Sequence, residues 1–154
     1  MKRRIARELA IQSLYQLEMT GVTAMQAVEM VIDEAQTEDN EMGIETKHVG
    51  KLKNEVLGWV TSTWEHREEL DKELARYLKG WQVDRLSRVD RQVLRFACYE
   101  LLHKEDVPPK VAVNEAVLLA KYFGTDESGK FVNGVLGQML RQREGVEAQD
   151  SEQK

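Results

Sequence analysis

The sequence predicts an all-α fold, and three features of its 154 residues support that class. Apolar residues recur at helical spacing along most of the chain. The composition is rich in Leu, Ala, Glu, Lys and Arg and contains only 10 Gly and 2 Pro, which favours helix over sheet. Both prolines, Pro108 and Pro109, stand together between two helical patterns, where they must end the first one. We therefore expect a bundle of about six or seven helices.

The first helical pattern runs from Lys2 to Met19 and has one continuous apolar face. That face consists of Ala6, Leu9, Ala10, Ser13, Leu14 and Leu17. At about 100° per residue, the other side carries Arg4, Arg7, Glu8, Ile11 and Tyr15. The pattern predicts a solvent-facing basic stripe followed by an aromatic ring. Cations near a helix N-terminus face the positive end of the macrodipole, so stability alone would not select this placement.

The segment between this helix and the centre of the chain has weaker patterns. Gly21 is expected to end the first helix, and Thr23 is a candidate cap for a shorter second one. The acidic, Gly-containing segment Thr37–Glu45 is typical of a loop. A long apolar pattern then begins at Thr46. The sequence leaves open whether that helix bends or breaks over Ser62–His66.

The second half of the chain holds three further helical patterns. The first, from Arg88 to His103, is apolar on most sides, which predicts a helix buried by its neighbours. Ser87 precedes it, and Asp90 stands three residues later, the spacing of a capping box. The next pattern runs from Val111 to Phe123 and should end at a left-handed Gly124.

The last pattern begins after acceptors offered by Asp126, Glu127 and Ser128 and buries a narrower apolar stripe. Within these helices, the amides of Asn114 and Asn133 are expected to be buried and hydrogen-bonded across helices. Gly134 is expected to mark a close approach of two helices. We predict one domain over residues 1–143, with subdomains of about 1–80 and 81–143 divided near Gly80, and a frayed polar tail over 144–154.

Charge and hydropathy exclude several classes of protein. The formal net charge of −5 argues against nucleic-acid binding by bulk charge, although it leaves room for a local basic patch. No apolar run approaches the roughly 18 residues that a membrane span requires. The single cysteine, Cys98, cannot form an internal disulfide, which suits the reducing cytoplasm. Its apolar neighbours indicate a buried, inert thiol rather than a nucleophile.

Motifs that carry catalysis or metal binding are not found in the sequence. His48, His66 and His103 each lack a second His or Cys at metal-ligand spacing. The Ser-Gly-Lys at residues 128–130 lacks the upstream glycine of a phosphate-binding loop. Carboxylate pairs such as Glu68-Glu69 lie on strongly polar helix surface. We therefore expect no catalytic residue, no metal and no cofactor.

Four blocks of the sequence, in the same order, resemble the NusB family of bacterial transcription antitermination factors. The blocks are RRIARELAIQSLYQ, VDRQVLRFACYELL, VPPKVAVNEAVLLAKYFG and ESGKFVNGVL. The resemblance covers nearly the whole chain and is weakest between about Thr20 and Arg85. It implies a NusB-like helical domain that binds RNA in transcription antitermination.

The resemblance also implies partners. In that family the protein joins the ribosomal protein NusE, binds single-stranded boxA RNA and acts on the RNA polymerase elongation complex with other Nus factors, notably on ribosomal RNA operons. One alternative is a helical protein-interaction scaffold without specific RNA. Another is the RNA-binding module of ribosomal RNA cytosine methyltransferases, for whose catalytic domain no chain remains here. Self-association into a homodimer is left open.

Two groups of residues are candidates for RNA contact. Arg3, Arg4, Arg7 and Tyr15 suit phosphate binding and base stacking, although periodicity alone slightly favours a charged helix end with Tyr15 packed on a neighbouring helix. The resemblance favours the RNA interpretation. It also implies RNA contacts for Glu127 and Phe131. Asp90 and Arg95 match family positions that lie near the bound RNA.

Lys130 completes the second group, because it is expected with Phe131 in the first turn of the last helix, where free amides attract an anion. Periodicity alone gives plainer roles. Phe131 could fill the core, Glu127 could complement the helix dipole, and Arg95 could belong to a solvated or salt-bridged edge formed with Arg88 and Arg91.

Overall fold

The computed structural model describes residues 2–37, 49–78, 80 and 82–152, and the side chains of these except residues 2, 3, 37 and 144–152. Within those ranges the chain forms seven α-helices and one 3-10 turn, with no strand, so the predicted all-α class is confirmed. The helices are α1 (Lys2–Thr20), α2 (Ala24–Thr37), α3 (Val49–Glu65), α4 (Arg67–Ala75), α5 (Arg88–His103), α6 (Pro109–Phe123) and α7 (Asp126–Glu152), and the 3-10 turn is Val83–Arg85. No helix in the described part of the chain is both long and apolar enough to span a membrane.

The chain divides into two compact units, unit 1 over residues 1–67 and unit 2 over residues 68–154. The predicted division near Gly80 is therefore too late in the sequence. The helix breaks at His66, which settles the question left open for Ser62–His66. The ring Nδ1 of His66 lies 2.7 Å from the Ser62 carbonyl oxygen, and Arg67 Nη1 donates to the Trp64 carbonyl at 2.7 Å. Arg67 thus satisfies a carbonyl at the end of α3, while the Ser62 carbonyl also accepts from the His66 backbone amide at 3.1 Å.

Unit 1 is built from α1, α2 and α3, which pack against one another. The predicted apolar face of α1 is buried along its whole length. As predicted, Gly21 ends α1 in the left-handed conformation, with φ of 70°. Thr23 caps α2, since its hydroxyl accepts from the Gln26 amide at 3.1 Å while the Gln26 side chain accepts from the Thr23 amide at 3.0 Å.

Two predictions for unit 1 need correction or fall outside the described residues. Ile11 and Arg7, expected on the solvent side of α1, are both buried. Because α1 packs against two neighbouring helices, more than one face of it is covered. Thr37 belongs to α2, whereas the rest of the predicted loop and the helix start at Thr46 lie outside the described residues.

Unit 2 is organised around α5, which packs against α6 and α7. The prediction that α5 is buried nearly all round is confirmed, since eight consecutive residues from Arg91 to Cys98 are buried. The predicted stripe of α7 is also buried at Val132, Val135, Leu136 and Met139. The core of unit 2 therefore follows from helical periodicity alone.

The connection between α6 and α7 differs from the prediction. Gly124 has φ of −118° and ψ of −119°, so it is not left-handed. It is still suited to glycine, because a Cβ there would lie 2.8 Å from the Ala120 carbonyl oxygen and 2.7 Å from Ser128 Oγ. The close approach of α6 and α7 occurs at buried Gly129, where a Cβ would lie 2.6 Å from Lys121 Cγ.

Three further predictions for unit 2 are wrong. Gly134 is exposed with open space around it, and Asn114 and Asn133 are exposed rather than buried. These residues lie on outward-facing positions of α6 and α7 that the flanking apolar residues made look internal. Residues 144–152, where the sequence suggested a polar tail, continue α7 as far as Glu152.

Replacing Gly124 with alanine should lower the free energy of unfolding by about 1–3 kcal/mol, because the new methyl group overlaps a backbone oxygen. The matched control is Gly134→Ala in α7, where nothing lies within 4 Å of the added Cβ. That change should instead stabilise the protein by roughly 0.5–1 kcal/mol. Urea unfolding of both variants measures the difference, and equal effects would contradict the packing described for Gly124.

Cys98 is buried in α5, and burial raises the pKa of its thiol to about 12. We expect the native protein to resist alkylation by iodoacetamide at pH 8, where almost no thiolate is present, and to react after unfolding in urea. Because the folded thiol holds its proton more tightly than the unfolded one, stability should fall as the pH rises above about 9. Rapid labelling of the native protein would show that Cys98 is accessible.

Candidate nucleic-acid interface

A groove of about 350 Å³ opens in unit 2 beside the N-termini of α5 and α7. Its volume falls at the lower end of the roughly 300–1,000 Å³ that small-molecule sites occupy. The lining contains one aromatic ring, two carboxylates, one guanidinium and three hydroxyl groups. These residues are Arg85, Leu86, Ser87, Asp90, Thr125, Glu127, Ser128 and Phe131.

Two helix caps determine where α5 and α7, the helices on either side of the groove, begin. Ser87 caps α5, because its Oγ accepts from the Asp90 amide at 3.1 Å. Thr125 caps α7, because its Oγ1 accepts from the Ser128 amide at 3.2 Å. The cap of α7 is thus Thr125, one residue before the acceptors that the sequence suggested. Both hydroxyls are committed to helix amides, so they shape the groove more than they serve a ligand.

The 3-10 turn that precedes α5 is tied to that helix by buried Arg91. Its Nη1 donates to the carbonyl oxygens of Val83 at 3.2 Å and Leu86 at 3.5 Å. This tether holds Arg85 at the rim of the groove. Arg91, which the sequence placed on a solvated or salt-bridged edge, therefore acts as a positioning residue.

Asp90 carries the strongest sign that the groove binds a ligand. Its Oδ1 is buried and has no hydrogen-bond partner among the described residues. The capping box predicted from its spacing is only half formed. Ser87 Oγ accepts from the Asp90 amide, but Asp90 Oδ1 does not accept from the Ser87 amide. A buried acceptor without a donor costs roughly 1–3 kcal/mol, a cost that a ligand could offset.

Glu127 and Lys130 lie beside the groove on the exposed ridge of α7. The Glu127 side chain is 85% exposed, and its Oε1 lies 3.7 Å from Lys130 Nζ. An exposed pair of this kind contributes at most about 1 kcal/mol, so either partner can be drawn to a ligand at little cost. Since α7 begins at Asp126, Lys130 and Phe131 lie in its second turn and not, as predicted, in the first. The free-amide argument therefore does not apply to Lys130.

Arg95 is not available to a ligand in this structure. It is buried, and its guanidinium makes two 2.8 Å hydrogen bonds to the carboxylate of Asp71 in α4. Of the alternatives drawn from the sequence, the salt-bridged edge is thus confirmed for Arg95. The bidentate geometry uses the planar fork of arginine and joins α4 to α5.

In unit 1, the predicted basic stripe is narrower than expected. Arg7 is only 3% exposed and takes part in intramolecular interactions. Arg4 is exposed and Tyr15 is partly exposed, and at 100° per residue the two share one face of α1. The side chain of Arg3 lies outside the described side chains.

The structure thus brings Asp90, Glu127 and Phe131 together in one groove and leaves Arg4 and Tyr15 on a separate helix. Sequence reasoning missed Arg85. Its guanidinium has no ion pair or hydrogen bond to any described residue. No periodic signal could have assigned it a face, because a three-residue 3-10 turn is too short to show one.

In the described ranges the chain is helical, with an open groove of one ring, two carboxylates and an arginine whose guanidinium has no partner within those ranges. This combination is typical of a helical binding module. Comparison with known proteins makes the class specific. The sequence profile of the NusB family matches residues 4–141. The chain belongs to the NusB family.

Two curated relatives are named transcription antitermination protein NusB. The protein of Symbiobacterium thermophilum is 42% identical over 151 residues, covering 97% of this chain and 96% of the relative. The protein of Bacillus subtilis strain 168 is 40% identical over 136 residues, covering 88% of this chain and 92% of the relative. A solved structure of antitermination factors NusB and NusE in complex with dsRNA matches with a TM-score of 0.75 and 27% identity, covering 92% of this chain and 97% of the other.

The Asp71–Arg95 pair should behave as one structural unit in a double-mutant cycle. Removing Arg95 leaves a carboxylate without its partner, so Arg95→Ala should lower the free energy of unfolding by about 2–4 kcal/mol. Asp71→Ala should cost a similar amount, and the double variant much less than the sum. Urea denaturation supplies all four values. Additive effects would show that the pair does not couple α4 to α5.

Proposed function

We propose that this chain is an RNA-binding transcription antitermination factor whose groove in unit 2 holds an unpaired nucleotide. The observation that carries this proposal is the buried Oδ1 of Asp90, which has no hydrogen-bond partner in the described part of the chain, in a groove that also contains Phe131 and Arg85. These are the three elements that single-stranded RNA recognition uses, namely a base-edge acceptor, a stacking ring and a phosphate-binding cation. Family membership supports the same function.

Each groove residue has a distinct role in this proposal. The ring of Phe131 stacks on a base, while Asp90 Oδ1 and the Glu127 carboxylate accept hydrogen bonds from exocyclic amino groups. Arg85 and Lys130 contact phosphates. Carboxylates repel phosphates, so two of them in the groove select a base edge and disfavour a backbone lying across them.

On unit 1, we assign Arg4 to a phosphate and Tyr15 to stacking, with Arg3 kept as a further phosphate contact from the sequence. Arg7 and Arg95, expected to contact RNA, are omitted because both are buried and engaged within the protein. An arginine already bound to a carboxylate would have to break that pair before it could reach a phosphate. Their roles are structural in this proposal.

The finer features of the function follow from family resemblance. We propose that the RNA is a single-stranded boxA-type element and that the protein partner is the ribosomal protein NusE. The complex would then act on the RNA polymerase elongation complex with other Nus factors, on ribosomal RNA operons. The solved complex of NusB and NusE with dsRNA supports the pairing of NusB with NusE and RNA. These activities place the protein in the cytoplasm.

We also infer that the chain is not an enzyme. Within the groove, the hydroxyls of Ser87 and Thr125 are committed to helix amides, and neither histidine nor cysteine is among the lining residues. A hydroxyl nucleophile needs a general base within hydrogen-bond reach, and among the described residues neither hydroxyl is hydrogen-bonded to the side chain of Asp90 or Glu127, the two carboxylates of the groove.

Binding of a labelled boxA-type oligonucleotide, measured by fluorescence anisotropy over a salt series, tests the proposal. The logarithm of affinity should fall with the logarithm of salt concentration with a slope of about −3, from four cation contacts (Arg3, Arg4, Arg85 and Lys130) of about 0.7 each. Arg4→Ala and Arg85→Ala should each flatten that slope by about 0.7. Phe131→Leu should weaken binding by about 1–3 kcal/mol while keeping an apolar side chain in place.

Asp90→Asn and Glu127→Gln separate base reading from folding. Both keep the side-chain shape and turn an acceptor into a mixed donor and acceptor, so they should change base preference while leaving the unfolding midpoint nearly unchanged. Glu68→Gln on the exposed surface of α4 is the matched control and should alter neither. Unchanged affinity and preference in both groove variants would refute the groove as the RNA site.

The scaffold alternative makes a different prediction with the same proteins. Without specific RNA binding, a boxA-type strand and a scrambled strand should bind equally, and purified NusE should bind as well with RNA as without it. Annealing the strand to its complement tests whether unpaired bases are required. Mass measurement with and without RNA reports any homodimer and whether RNA dissociates it.

A further inference from the structure

Tyr122, near the C-terminus of α6, is the most exposed of the large hydrophobic residues in the described part of the chain, with 69% of its surface accessible. Its ring makes an edge contact with the neighbouring Phe123, at 4.9 Å between centroids and 73° between planes. That contact supports one edge of the ring and leaves most of the rest open to solvent. The ring is therefore accessible to a binding partner.

One lysine lies on each side of the α6–α7 connection, Lys121 near the end of α6 and Lys130 near the start of α7. The aliphatic chain of Lys121 lies over Gly129, whose missing side chain makes room for it. Its ammonium group has no ion pair with any residue in the described part of the chain. Lys130 follows Gly129 directly and pairs only weakly with exposed Glu127.

Lys130 connects Lys121 to the groove around the surface of α7. At 100° per residue, Gly129 faces α6, Phe131 faces the groove and Lys130 lies on the exposed ridge in between. Lys130 therefore lies between the groove residue Phe131 and Gly129, over which Lys121 of α6 extends, and Tyr122 follows Lys121 in α6. All of these residues belong to unit 2.

We propose that Tyr122 is a second stacking platform for single-stranded RNA, reached from the groove across Lys130 and Lys121. The proposal rests on the RNA-binding function proposed above and extends the RNA footprint beyond the groove. A tyrosine ring stacks a base of any sequence, so this contact adds affinity for flanking nucleotides without reading their identity. Lys121 and Lys130 neutralise the phosphates on the way.

The same face of α6 also exposes Val111 and Leu118, which would suit a protein partner. Charge favours RNA at the Tyr122 end, because the lysines and the groove adjoin it there. Val111 and Leu118 offer no donor, cation or ring to a nucleic acid, so the platform ends at Tyr122. Leu118 thus provides a matched control for apolar exposure on the same helix face.

The test compares a boxA-type core oligonucleotide with versions extended by a few nucleotides at the 5′ or the 3′ end, measured by anisotropy. One extension should tighten binding, and Tyr122→Ala should remove roughly 5- to 150-fold of affinity for that RNA. Tyr122→Ala should leave the affinity for the core strand unchanged. Tyr122→Phe should retain the gain, because it keeps the ring, and Leu118→Ala should retain it too.

An extension made of abasic nucleotides separates stacking from charge. It keeps the phosphates, so the contribution of Lys121 should persist and Lys121→Ala should still flatten the salt slope by about 0.7. The contribution of Tyr122 should disappear, and Tyr122→Ala should then bind this RNA as the unchanged protein does.

Three results would overturn the platform. The first is that neither extension tightens binding, and the second is that the gain survives Tyr122→Ala. The third is that Tyr122→Ala and Leu118→Ala both weaken NusE binding or self-association while the RNA gain is intact. The last result would assign the face to a protein partner. Failure of the unchanged protein to bind any of these RNAs would instead refute the proposed function itself, which keeps the two failures distinct.

Discussion

The groove depends on the capping of two helices whose N-termini both line it. Ser87 and Thr125 each accept a backbone amide, which determines the residue at which α5 and α7 begin and therefore which side chains line the groove. Arg91 adds the third constraint by tying the preceding 3-10 turn to α5. Together these contacts position Asp90, Phe131 and Arg85 around a common groove.

Charge in this protein is used locally. The chain carries a net charge of −5, and its cations divide into two kinds. Arg7, Arg91 and Arg95 are buried, and Arg95 is held by a bidentate pair with Asp71. Arg4, Lys121 and Lys130 are exposed. Only exposed cations can release counterions from RNA, so the proposed affinity comes from a few contacts and from stacking.

The fold was largely predictable, whereas the site was predictable only in part. Periodicity gave the buried face of α1, the all-round burial of α5 and the stripe of α7, because burial follows from a repeat that each helix carries within itself. It failed for Arg7 and Ile11, since two neighbouring helices cover a wider arc of α1 than one face. The predictions for Gly134, Asn114 and Asn133 failed for a related reason. Apolar neighbours in the sequence do not determine the direction in which a single side chain points.

The sequence by itself determined the helices, most of their caps and the family to which the chain belongs, because these depend on neighbours within a few residues or on matched blocks. Only the tertiary structure decided which polar groups are committed within the protein. Arg95 is paired with Asp71, whereas within the described ranges Asp90 Oδ1 has no donor and Arg85, at the groove rim, has no side-chain partner. Such pairings join residues distant in sequence, and local patterns contain no information about the partner that each side chain will meet.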